Sequence, residues 1–200
     1  MKLDRKNLII FIAVIGSIIP IIFGYNWNYI FVPFFDLLIS TVLFIGIFAI
    51  FLLGRVIISK IYNESSISQI EEHDLLKAFS NQNKKSILIV FFPMTMLMEE
   101  LIFRFYAISI LLEIFYQNFL LSILLSSIIF AFYHLHFWFR FKNFRIFISY
   151  FILSFFLGVL NGFIFLYFGL LYCFIVHFGL AFEMYHHLYR KHFKKNNGKT

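Results

Sequence analysis

Glu99, Glu100 and Arg104 interrupt a long apolar stretch that begins near Ser86. A charged side chain at the centre of a membrane-spanning helix costs about 2.5–3.5 kcal/mol even on a lenient insertion scale. If each faced lipid alone, the three together would cost about 8–10 kcal/mol on that scale. They must therefore face protein or water, and ionisable groups inside a membrane are candidate functional groups.

Helical geometry separates the roles of the two glutamates. Glu100 and Arg104 are at positions i and i+4, so they share one face of a helix and can form an ion pair. Glu99 is rotated by about 100° from Glu100 and faces away from that partner. A carboxylate in a low-dielectric environment seeks a proton, a metal or a base. The partners of Glu99 therefore decide which chemistry the chain can perform.

Two histidines in later apolar segments, His134 and His177, are the candidate partners of Glu99. His136 is two positions from His134, so in a helix only one of these two rings readily faces Glu99. One glutamate and two histidines from three helices could hold a zinc ion with an open position for water. They could equally form a metal-free site, in which Glu99 and His134 activate water and His177 stabilises the oxyanion.

The composition is that of a polytopic membrane protein. The chain of 200 residues is 62% hydrophobic and 14% charged, and its mean hydropathy is +0.87, which excludes a soluble globular domain. The formal net charge of +7 lies mostly at the ends of apolar segments, so it indicates membrane topology and no nucleic-acid partner. The single cysteine, Cys173, precludes an intrachain disulfide.

The apolar pattern predicts an all-α bundle of six transmembrane helices in a single integral membrane domain over residues 1–200. A span requires about 20 residues, and the predicted spans run approximately over 8–25, 31–58, 86–116, 119–139, 146–168 and 170–189. The last two must be joined by a sharp turn near Gly169. The hydrophilic stretch from Tyr62 to Lys85 predicts a loop that carries a short amphipathic helix.

The cations predict the orientation of this bundle. Of the 17 lysines and arginines, all but Arg104 lie before the first span, close to the end of the second span or after it, after the sixth span, or between the fourth and fifth. With six spans, these positions are all on one side of the membrane. By the positive-inside rule, both termini are expected to be cytoplasmic.

Three motifs together resemble those of a known family. Glu99-Glu100-x-x-x-Arg104, Phe130-x-x-x-His134 and then His177 in a late span are similar to the motif series of the CAAX prenyl endopeptidase and bacteriocin-processing membrane proteases (CPBP, Abi-type). The resemblance covers a catalytic core of about residues 86–189. It implies a helix bundle around a cavity open to the cytosol and an intramembrane endopeptidase that cleaves peptide or protein substrates.

The resemblance also implies roles for individual residues. Glu99 would activate water, while Glu100 and Arg104 would support the site. His134 and His177 would coordinate water, or would bind zinc together with Glu99, and would polarise the scissile carbonyl. The expected surroundings are the lipid bilayer of a bacterial cell membrane, which the chain crosses several times, and the expected partner is a peptide or protein substrate.

One position departs from the family pattern, because Ala181 stands where an asparagine is usual, four residues after His177. An alanine cannot donate to an oxyanion, and Asn161 is a candidate substitute. The departure leaves a second class of function open: a catalytically impaired member that acts as a bacteriocin-immunity or membrane scaffold protein. A transporter with an ion relay is a third alternative, but the chain has no matching halves with broken helices.

Overall fold

A computed structural model describes residues 5–33, 36–80 and 85–193, without the side chains of Lys6 and Ser80. All regular elements in these ranges are helical. Both chain ends lie outside the described residues, as do several of the cations used to predict the orientation, namely Lys2, Lys84, Lys194, Lys195 and Lys199.

Ten α-helices follow one another along the described ranges. They are α1 (Arg5–Ile22), α2 (Leu37–Lys60), α3 (Glu64–Glu71), α4 (Asp74–Ser80), α5 (Phe92–Glu100), α6 (Ala107–Ile114), α7 (Phe119–Tyr133), α8 (Leu135–Phe141), α9 (Phe144–Phe168) and α10 (Leu170–His192). A short 3₁₀ turn, Trp27–Tyr29, lies between α1 and α2. The predicted amphipathic helix is thus two short helices, α3 and α4.

Three helical stretches are long and apolar enough to cross a membrane: Leu37–Lys60, Phe119–Phe141 and Phe144–Phe168. Large apolar side chains on α2 are widely exposed, with Leu38 at 73% and Phe44 at 71%, as expected for a lipid-facing helix. The all-helical class and the membrane character of the chain are confirmed. The count of six spans and the orientation stay predictions, since α1 is shorter and α10 carries several histidines and Glu183.

The third predicted span is not one regular α-helix. Helical structure is continuous from Ile87 to Ile114, but two π-helical segments, Ile87–Phe91 and Leu101–Tyr106, flank α5. The first ends as the chain reaches Pro93, which has no N–H to donate within the helix. In the second, the carbonyl of Phe103 accepts a hydrogen bond from the Ser126 hydroxyl of α7. Such π segments occur frequently at functional sites.

The fourth predicted span is divided at His134. His134 (φ −74°, ψ 1°) lies between the last residue of α7 and the first residue of α8. The residues on both sides of it are mostly apolar, so the sequence predicted a single helix. The break changes the direction in which the residues after His134 point.

Helices α7 and α9 approach closely because small residues line their interface. A Cβ placed on Gly158 would lie 2.9 Å from the Cβ of Ser127, and one on Gly162 would lie 2.7 Å from Ile123. The spacing of these two glycines is the small-xxx-small pattern of membrane helix pairs. The predicted turn between α9 and α10 lies at Gly169, whose φ of +90° favours glycine.

Candidate functional site

Glu100 and Arg104 form a fully buried ion pair. The Glu100 side chain has no exposed surface and Arg104 is 1% exposed, and Arg104 Nε lies 3.3 Å from Glu100 Oε2. The pair predicted for an α-helix therefore forms, although Arg104 lies in a π segment. The guanidinium carbon also lies 4.3 Å from the centre of the Phe130 ring, in cation–π range.

His177 lies between the two glutamates. Its Nδ1 is 2.6 Å from Glu100 Oε1, and its Nε2 is 3.7 Å from Glu99 Oε2. A carboxylate oxygen accepts, so Nδ1 carries the proton and donates to Glu100. In the neutral ring Nε2 then has a lone pair, which faces Glu99. The Glu99 partner predicted from the sequence is therefore close to it, and Glu100 holds this histidine in position.

His134 is oriented by the main chain. Its Nδ1 lies 3.0 Å from the carbonyl oxygen of Phe130. Because a carbonyl can only accept, Nδ1 donates and Nε2 is the basic nitrogen of the neutral ring. The Phe130 ring makes edge contacts with both His134 and His177, with centroids 5.0 and 5.7 Å apart. One phenylalanine thus positions both histidines and covers Arg104.

Glu99, His134 and His177 line one cavity of about 1010 Å³, whose walls are mainly apolar. Glu100 and Arg104 do not line this cavity. The cluster therefore has two layers: three groups that a bound molecule could touch, and an ion pair behind them. His136 also lines this cavity, with its ring centroid 5.9 Å from that of His134. Since the helix breaks at His134, both rings line the cavity, and the expectation that only one of them readily faces Glu99 stays a prediction.

Asn161 and Ala181 occupy different layers. Asn161 is fully buried, and its Nδ2 donates to the carbonyl of Cys173 at 3.1 Å, while the Cys173 thiol lies 3.2 Å from the Asn161 carbonyl. This exchange fastens α9 to α10 one turn before His177. Ala181 lines the cavity itself. The amide of Asn161 thus lies behind the site. It does not line the cavity beside Ala181, where a substitute for the usual asparagine would have to lie.

A polar cluster on the cavity wall was not identified from the sequence. The Tyr185 hydroxyl lies 2.7 Å from the Tyr150 hydroxyl and 3.5 Å from His73 Nε2, and all three residues line the cavity. His73 lies between α3 and α4, in the predicted hydrophilic loop. The spacing of His177, Ala181 and Tyr185 along one face of α10 is the one sequence signal that points to Tyr185.

The donor set for zinc is not assembled. Among residues 5–33, 36–80 and 85–193, no three His, Cys, Asp or Glu side chains are arranged to hold a metal ion. Glu99, His134 and His177 share a cavity without converging on one point. The zinc site remains an expectation from the sequence.

Comparison with known families gives one match. The family model described as Type II CAAX prenyl endopeptidase Rce1-like matches residues 81–182, a range that contains Glu99, Glu100, Arg104, His134 and His177. No match was found among curated proteins or among solved structures.

Proposed function

The chain belongs to the Rce1-like family of type II CAAX prenyl endopeptidases, and from this premise we propose that it is an intramembrane endopeptidase in which Glu99 activates water. The observation that carries the proposal is the two-layered cluster. Glu99, His134 and His177 line the cavity, and the Glu100–Arg104 pair supports them from behind. This division matches what a hydrolytic site requires, namely reactive groups in contact with substrate and fixed groups that orient them.

The position of Glu99 suggests where the water binds. Glu99 Oε2 lies 3.7 Å from His177 Nε2, too far for a direct hydrogen bond, and this oxygen is buried from solvent. In this proposal the water therefore binds on the cavity side of Glu99 and donates one O–H to its carboxylate. The oxygen lone pair of the water then points toward a bound carbonyl carbon.

Peptide hydrolysis follows with ordinary proton balance. Glu99 takes one proton from the water as the new C–O bond forms, and the carbonyl π electrons move to the oxygen. When that electron pair returns, the C–N bond breaks and the amine nitrogen takes the proton from Glu99. Glu99 acts first as base and then as acid. His134, with its basic Nε2 directed by the bond to Phe130, is the second group that we assign to water and proton handling.

Glu100 has a positioning role in this proposal. It accepts from His177 Nδ1 and is neutralised in part by Arg104. The proton on Nδ1 fixes the tautomer in which Nε2 is basic. This is the arrangement by which a carboxylate orients a catalytic imidazole in other hydrolytic sites.

The test is cleavage by the purified protein in lipid. The probes are a peptide whose fourth residue from a free C-terminus is a prenylated cysteine and a set of leader-type peptides, each offered to wild type and to Glu99→Gln. We expect wild type to cleave at least one probe and Glu99→Gln to be slower by about 10²–10⁴-fold, the usual contribution of a general base. The matched control is Glu183→Gln, since Glu183 is a half-exposed glutamate on α10, and its rate should equal that of wild type.

Two outcomes would contradict the proposal: equal cleavage by wild type and Glu99→Gln, or no cleavage of any probe by wild type. A chelator provides a further arm. Because the donor set is not assembled around one point, we expect the rate to survive chelation. Loss of activity that zinc restores would favour the metal-dependent alternative.

Ala181 favours a second candidate function, a catalytically impaired family member that binds a membrane peptide as an immunity or scaffold protein. Its side chain offers only a methyl group to the cavity. In that case the biological phenotype would survive Glu99→Gln. Loss of the phenotype in this variant would count against the candidate.

A further inference from the structure

Hydrolysis of a peptide bond needs a hydrogen-bond donor at the carbonyl oxygen, where negative charge develops. Removing one such donor typically lowers the rate by about 10²–10³-fold. In their neutral forms His134 and His177 cannot fill this role, because the single N–H of each is already donated to Phe130 and Glu100. Of the described residues, neither Arg104 nor Asn161 lines the cavity.

Hydroxyl groups on the cavity wall are further candidate donors. Thr95 donates its hydroxyl to the carbonyl of Phe91 at 2.8 Å, so that hydrogen is already used. Tyr133 also lines the cavity within electrostatic range of Glu99, but it is 37% exposed, and among the described residues no hydrogen bond orients its hydroxyl. Tyr185 is part of the polar cluster on the cavity wall, and its hydroxyl lies within electrostatic range of Glu99.

The geometry of α10 directs Tyr185 toward the site. Long side chains on a helix lean toward its N-terminus, so each covers the surface one turn before its own Cα. Tyr185 therefore leans over the position of Ala181, in the direction of His177. The methyl group of Ala181 leaves that surface open, whereas a larger side chain would compete with the tyrosine for it.

The hydrogen bonds around Tyr185 leave its own proton available. The backbone N–H of Leu75 donates to His73 Nδ1 at 3.4 Å, so the proton of the neutral His73 ring is on Nε2. That N–H points to the Tyr185 oxygen at 3.5 Å. If Tyr150 donates across the 2.7 Å contact, both neighbours give hydrogens to the Tyr185 oxygen, and the Tyr185 hydrogen is free to bind a substrate oxygen.

We propose that Tyr185, oriented by Tyr150 and His73, donates the hydrogen bond that stabilises the carbonyl oxygen during hydrolysis, in the space that Ala181 leaves open. This role rests on the proposed endopeptidase function. Tyr185 keeps its proton throughout: the oxygen gains charge as water attacks and loses it when the C–N bond breaks. Tyr185 then supplies the hydrogen-bond donor that the asparagine of the family pattern would supply at position 181.

The test uses full-length protein in lipid with whichever peptide probe wild type cleaves. Tyr185→Phe should lower kcat by about 10²–10³-fold with little change in KM, because the hydroxyl acts on the transition state. The matched control is Tyr189→Phe, which removes a hydroxyl from the same helix next to Phe79, away from the cavity. It should behave as wild type. Tyr150→Phe should cause a smaller loss, since Tyr150 only orients Tyr185.

A paired substitution separates this role from simple structural support. In Tyr185→Phe, adding Ala181→Asn supplies an amide donor to the same region, so it should recover part of the lost kcat. In the wild-type background, Ala181→Asn should give no gain, because Tyr185 already covers that surface. A structural role for Tyr185 would show no such rescue.

The outcomes distinguish the two proposals. Normal kcat in a folded Tyr185→Phe, together with inactive Glu99→Gln, would overturn the role of Tyr185 and leave the endopeptidase proposal standing. A gain from Ala181→Asn alone would also overturn it, since it would show that the donor was missing. Absence of any cleavage by wild type would overturn the proposed function and this inference with it.

Discussion

Glu100 is the residue on which the buried cluster depends, because it forms an ion pair with Arg104 and accepts a hydrogen bond from His177. Arg104 approaches one oxygen at 3.3 Å and His177 the other at 2.6 Å. A charge in this position is expensive to bury unless it is paired. The arrangement therefore combines stability with the orientation of the His177 ring.

The stability of the cluster can be tested by removing the cation alone. Arg104→Met leaves the Glu100 carboxylate buried without its charge partner, which typically costs about 3–5 kcal/mol of unfolding free energy. The measurement is thermal or denaturant unfolding in detergent. The control is Arg55→Met, since Arg55 is exposed and its guanidinium carbon lies 5.4 Å from the centre of the Phe51 ring; we expect a small effect there.

A double variant sharpens this test. Arg104→Met combined with Glu100→Gln removes both charges, so it should recover part of the stability lost in the single variant. Equal stability of Arg104→Met and wild type would show that the pair contributes nothing to the fold.

The types and spacing of Glu99, Glu100, Arg104, His134 and His177 identified residues that the fold does bring together. Ionisable groups stand out in an apolar sequence because their burial must be compensated. Tyr185 and Tyr150 could not be recognised in the same way, since tyrosine occurs 11 times in the chain and suits a membrane interface without any chemical role. His73 lies in a hydrophilic loop, where burial is not expected from the sequence.

At the scale of elements, the site depends on irregular helix geometry. The π segment Leu101–Tyr106 follows Glu100 directly, and the break at His134 separates α7 from α8. Hydropathy predicted the extent of these helices well but could not reveal either irregularity, because it does not distinguish an α-helix from a π segment or from a helix with a break. The tautomers and the approach of the two histidine rings follow from this local backbone, so they too were beyond the sequence.

The close packing of α7 on α9 makes a testable prediction about Gly158. In Gly158→Ala, the new Cβ would lie 2.9 Å from the Cβ and 3.0 Å from the Cα of Ser127, so the helices must separate. Overpacking of this kind costs about 1–3 kcal/mol. Because α7 ends at His134, we also expect a lower cleavage rate, measured with the same peptide probe.

The control for this prediction is Gly16→Ala in α1, where a Cβ would meet nothing within 4 Å. Alanine is favoured over glycine in a helix by about 1 kcal/mol, so this variant should be as stable as wild type or more stable. A fully stable and active Gly158→Ala would mean that α7 and α9 are not held at this distance.

At the scale of the whole molecule, the distribution of apolar surface and charge argues for a bundle with one cationic face. The exposed apolar side chains of α2 need lipid around them. Lys60 ends this helix, and the uncharged turn at Trp27–Tyr29 precedes it. If the positive-inside rule applies, these two ends of α2 lie on opposite sides of the membrane.

Single cysteines at the two ends test this orientation. The measurement uses bacterial spheroplasts, which have lost their outer layers but keep a sealed cell membrane. We expect Asn28→Cys to react there with a membrane-impermeant maleimide, because position 28 is exposed in an uncharged loop. Lys60→Cys should react only after the membrane is permeabilised. Wild type is the control, since Cys173 is fully buried and should remain unlabelled. Equal labelling of both cysteines in intact spheroplasts would show that α2 does not cross the membrane, and reversed labelling would place the cationic face outside.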